Sequence, residues 1–79
     1  MTSPTYRLII ALNHPSVAAE SYLEQHNLDF ACVHDSHTDC TFYITESCTP
    51  SGVLRAVAQT AGARARQNKV RCQYSISRL

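Results

Sequence analysis

The sequence is short of charge, short of glycine and without a long apolar run. Charged residues fill 16% of its 79 positions and the formal net charge is +1, where about a quarter charged is usual for a soluble domain. A balance so close to neutral lacks the electrostatic footprint of a nucleic-acid-binding chain, and equally the acidic surplus of a DNA mimic. The only two glycines, Gly52 and Gly62, form no loop of the kind that cradles a nucleotide phosphate. No stretch approaches the roughly 20 apolar residues of a membrane span, and the start does not follow the basic-then-apolar pattern of a signal peptide. Cytoplasmic placement with no membrane association is therefore expected. No Ser-His-Asp order and no paired catalytic carboxylates stand out, and a chain this short has little room to wall off an active site. The expectation is a protein that is not an enzyme and carries no cofactor.

What is present is a regular alternation of strand and helix signals. The clearest is at 28–47. Leu28, Phe30, Cys32 and His34 fall on one side at period two, and after the loop 35–39 Cys40, Phe42 and Ile44 alternate with Thr41, Tyr43 and Thr45. A five-residue loop would set His34 opposite Cys40, Cys32 opposite Phe42 and Phe30 opposite Ile44, making one face apolar throughout.

Taken in order, 1–5 reads as a flexible polar tail. Tyr6–Leu12 is a strand apolar on both faces, as a central strand requires. Ser16–His26 carries a helical stripe of Ala18, Ala19, Tyr22, Leu23 and His26, its cap being one of Asn13, His14 or Ser16. Thr49 followed by Pro50 signals a second helix start, whose inner stripe is Leu54, Val57, Ala58, Ala61 and Ala65. Val70–Leu79 closes the chain as an alternating strand, with Val70, Cys72, Tyr74 and Ile76 inward.

The order β-α-β-β-α-β is the ferredoxin-like pattern. It implies a single α+β domain, a four-stranded antiparallel sheet in the order 4-1-3-2, and both helices on one face. The other face is left open, with Arg7, Ile9, Val33, Thr41, Tyr43, Arg71 and Gln73 as its candidate partner-binding residues. At this size only about 60% of the unfolded surface is buried on folding, so association would add useful stability.

Three residue groups carry candidate chemistry. Cys32, His34, His37 and Cys40 form a C-x-H-x2-H-x2-C run of thiols and imidazoles, the donor types zinc takes in a tetrahedron, although the spacing follows no common zinc pattern. Arg64, Arg66 and Lys69 lie in the span 55–71, where five of the seven basic residues occur with no acid between them. They complement the end of a helix dipole and form a candidate anion patch. Cys48 and Arg55 resemble the cysteine and arginine of a phosphatase loop, but six residues separate them instead of five and no histidine precedes. The four cysteines, without a secretory signal, are expected as free thiols.

The element order is shared with RNA-recognition motifs, which stack bases on aromatics of their central strands. Tyr43 would be one platform, whereas Ile9 stands at the matching position of the first strand. It is also shared with amino-acid-binding modules of the ACT type, which use the turn where Asn13-His14-Pro15 stands here, normally with a glycine. The leading expectation is a small protein-binding module that inhibits or regulates a larger protein, in the manner of phage or mobile-element accessory proteins. Homodimerisation through the same face is compatible with that expectation; a nucleic-acid-binding domain and a zinc-binding hairpin are the alternatives.

Overall fold

A computed structural model describes residues 4–79; most of the expected N-terminal tail, 1–3, lies outside the described residues. The elements are β1 (Tyr6–Leu12), α1 (Val17–Glu24), β2 (Ala31–Asp35), β3 (Cys40–Ser47), α2 (Ser51–Gln67) and β4 (Cys72–Arg78). The strands form one antiparallel sheet in the order β2-β3-β1-β4, which is 4-1-3-2 from the other edge. The fold is thus α+β, with two helices and a four-stranded antiparallel sheet. Thr5 is held rather than loose, its carbonyl accepting the Leu79 N–H at 2.8 Å.

The core lies between the sheet and α2. Leu8, Ile10 and Leu12 of β1 meet Leu54, Val57, Ala58, Ala61 and Ala65, all buried. Small residues along this helix let it approach closely. At Gly62 a Cβ would come within 3.2 Å of Cys72 Sγ, tighter than ordinary van der Waals contact allows. α1 packs closely on α2 and sends Ala19 and Leu23 into the same buried cluster as Tyr43, while β2, at the sheet edge, is exposed along almost its whole length.

The caps resolve what the sequence left open. Ser16 caps α1, its Oγ accepting the Ala19 N–H at 3.2 Å. α1 stops at Glu24, two residues short of the expected His26, and the chain tightens as Gln25 and His26 donate to the carbonyls of Tyr22 and Leu23. Thr49 does not cap α2, because its hydroxyl is engaged with Ser47 Oγ at 2.7 Å and Pro50 takes the cap position. At the other end the Val70 N–H reaches the Ala65 carbonyl and the Lys69 N–H the Arg66 carbonyl. That is a Schellman closure, with Lys69 at φ 61° where glycine is usual.

The expected hairpin register is corrected by one residue. Asp35 pairs with Cys40, Val33 with Phe42 and Ala31 with Ile44, so the loop is the four residues 36–39. The cause is local. Asp35 Oδ1 accepts the His37 N–H and Oδ2 the Thr38 hydroxyl, both at 3.0 Å, which makes Asp35 the last strand residue and starts the turn there. Asp39 at φ 55° completes the reversal, a conformation aspartate tolerates better than most residues. One residue fewer in the loop turns β3 over relative to β2. Thr41, Tyr43 and Thr45 therefore face the helices and are buried, while Phe42 and Ile44 are on the open face.

Candidate protein-binding face

The side of the sheet away from the helices is built in rows set by strand pairing. One row runs Ala31, Ile44, Ile9, Ser75; the next runs Val33, Phe42, Ala11, Gln73. Above them on β1 and β3, Arg7 Nη2 and Glu46 Oε2 pair at 2.9 Å, with side chains 45% and 48% exposed. The two middle rows form a continuous apolar strip across β2, β3 and β1, bordered by polar residues of β4. Val33 is 48% exposed, and none of Ile9, Ala11, Phe42 or Ile44 belongs to the core cluster under the helices.

Of the expected partner-binding residues, Arg7, Ile9, Val33 and Gln73 lie on this face, and Arg71 follows the same alternation just before β4. Thr41 and Tyr43 do not: both are 3% exposed and face the helices, for the register reason given above. Phe42 and Ile44 belong to the face instead, beside Ala11 and Ala31, whose alternation with the buried residues already put them there. The signal for Phe42 and Ile44 was in the sequence, as Asp35-Ser36-His37-Thr38 is an aspartate-led turn that closes in four residues.

Tyr43 floors a cavity of about 610 Å³ between α1 and the β2 side of the sheet, bordered by Glu20, Leu23, Leu28, Phe30 and Cys32 among others. Burial is the main reason its phenol is held well above the ordinary value, followed by the nearby Glu20 carboxylate and Cys32 thiol.

The four zinc-type donors do not converge. Cys32 and His34 point to the helix side of β2, Cys40 pairs on the open side, and His37 sits in the turn. The shorter loop that turned β3 over also separates Cys40 from its intended neighbours. His34 is engaged locally, with Nδ1 3.3 Å from Thr41 Oγ1 and Nε2 3.3 Å from Asp39 Oδ1. Among the described residues no three metal-type side chains cluster.

The basic group is divided as well. Arg66 and Lys69 join Arg71 around a cleft of about 480 Å³ between the end of α2 and the start of β4. Arg64 lies over the Tyr22 ring, 5.0 Å from its centroid, an arrangement that fixes α1 against α2. Burial pushes the Cys72 thiol in that cleft above its ordinary pKa, with Arg66 opposing. Asp35 is held below the usual carboxylate value by the His37 N–H and the Thr38 hydroxyl.

All four cysteines are free. Among the described residues no helix is long and apolar enough to cross a membrane. No protein-family model matches the chain, and none of the curated proteins does.

Proposed function

We propose that this chain is a small cytoplasmic protein-binding module of ferredoxin-like architecture, acting as a regulator or inhibitor by presenting the open face of its sheet to another protein surface. The reading rests on the apolar strip of Ile9, Ala11, Ala31, Val33, Phe42 and Ile44, which the chain's own helices leave uncovered. Contiguous apolar surface of this kind is characteristic of interaction sites. Its border of Arg7, Glu46 and Gln73 gives the polar rim that such sites carry around an apolar centre.

The test is affinity capture with single substitutions. Phe42→Glu and Val33→Glu place a charge on the strip without entering the core, and are expected to abolish capture of the partner. Val17→Glu, on α1 at a site 78% exposed, is expected to leave it intact. Capture that survives both face substitutions refutes the use of this face. Tyr43→Ala is unsuitable as a probe, because it would hollow the core.

A further inference from the structure

The cleft of about 480 Å³ between the end of α2 and the start of β4 is bordered by Arg66, Lys69 and Arg71 and by no carboxylate. Among the described residues none of these three cations forms an ion pair. Val70 and Cys72 give the cleft an apolar floor, and burial keeps the Cys72 thiol neutral at neutral pH.

Each cation is placed by a local device. At Gly62 a Cβ would stand 3.2 Å from Cys72 Sγ and 3.3 Å from Arg66 Nη1, so the bare helix backbone there makes room for the guanidinium beside the thiol. The Asn13 side-chain carbonyl accepts the Arg71 N–H at 2.8 Å, and the Asn13 N–H donates to the Arg71 carbonyl at 3.2 Å. Lys69 stands at φ 61°, where glycine would close the helix with less strain.

Complementing the helix dipole accounts for a basic residue in the last turn, but not for this set. The carbonyls of Ala65 and Arg66 are already engaged by the N–H groups of Asn68, Val70 and Lys69. Arg71 lies beyond the helix altogether. A side chain held in a disfavoured backbone conformation points to a use other than stability.

From this placement we infer that the cleft binds the diphosphate group of a small molecule, its charge met by Arg66, Lys69 and Arg71. Guanidinium groups suit phosphate oxygens because they offer paired donors in a plane. A compact anion fits better than an extended one, since the basic surface does not continue: Arg64 is drawn to the Tyr22 ring and Arg7 to Glu46. The inference is independent of the open sheet face.

Amide-detected NMR of the whole chain, in low-salt buffer without phosphate, tests it by titration with inorganic pyrophosphate. Shifts are expected at 66–73, saturating with a dissociation constant of about 1 mM or tighter. Lys69→Gly removes the ammonium and relieves the backbone together. It is expected to weaken binding at least about fivefold while raising the urea midpoint, a combination that a purely structural lysine would not give. Arg71→Gln, at an exposed position, is expected to weaken binding similarly. Arg55→Gln removes the same formal charge from an exposed site earlier on α2, and should leave the affinity within about twofold.

The absence of a saturable shift up to about 20 mM pyrophosphate overturns the inference. Equal weakening by Arg55→Gln also overturns it, by reducing the effect to net charge, as does a folded Lys69→Gly protein that binds like the wild type. Adenosine diphosphate in place of pyrophosphate separates the two sources of the group: binding about tenfold tighter assigns a nucleotide, and equal binding assigns free diphosphate. A single-stranded oligonucleotide that binds more tightly than either, with a steep salt dependence, overturns the compact ligand in favour of nucleic acid.

Discussion

Replacing Thr45 by valine is expected to stabilise the protein. The residue is 3% exposed and its Oγ1 is buried with no hydrogen-bond partner, so folding strips water from the hydroxyl and returns nothing. An unmet buried polar group costs about 1–3 kcal/mol. Valine has nearly the same shape, keeps the β-branch that suits a strand and puts a methyl group where the hydroxyl stood. The expected gain is about 1–2 kcal/mol, which for a domain of this size raises the melting temperature by roughly 4–15 °C. Thr41→Val is the matched control. It is also buried, but its hydroxyl is engaged by His34 Nδ1 at 3.3 Å, so the same exchange should bring no gain. Urea unfolding followed by circular dichroism, at equal protein concentration for every variant, measures both. A Thr45→Val protein no more stable than wild type would show that the hydroxyl has a partner in the folded protein.

Two further expectations follow from single residues. Lys69 closes α2 at φ 61°, a conformation that disfavours a side chain by roughly 1–2 kcal/mol. Lys69→Gly is expected to return about 1 kcal/mol in the same unfolding assay, and a loss of stability would mean that the lysine makes a contact worth more than its strain. Tyr43 is held protonated by burial, by Glu20 and by Cys32. Its value in the folded state is raised, so its contribution is complete below the ordinary phenol value of 10.0 and is lost as pH climbs above it. Ultraviolet titration should show a late phenol ionisation, above the ordinary value of 10.0, that is absent in Tyr43→Phe; a titration without that late phase would contradict the buried placement.

Most of the architecture was legible because periodicity reports burial. Leu8, Ile10 and Leu12 at period two, and Leu54, Val57, Ala58, Ala61 and Ala65 at helical spacing, named the core directly. The orientation of β3 was not legible from pattern alone. Cys40, Phe42 and Ile44 look like the buried set, yet Thr41, Tyr43 and Thr45 alternate just as cleanly, and the choice depends on whether the turn has four or five residues. The side chain of Asp35 decides that through two hydrogen bonds. The uncovered side of the sheet was therefore legible, while two of the residues expected on it give way to their neighbours. The division of the basic cluster depends on three-dimensional proximity. Nothing in the spacing says that Arg64 goes to the Tyr22 ring while Arg66 and Lys69 meet Arg71 across a cleft.

The bare hairpin tip also offers a practical opening. Because β2 is exposed along almost its whole length and the turn residues 36–39 are exposed as well, the tip can be altered with little disturbance to Leu8, Ile10, Leu12 or α2. A label carried on a substituted Ser36 leaves Asp35 its bonds to His37 and Thr38, and so would report on the molecule without turning β3 over.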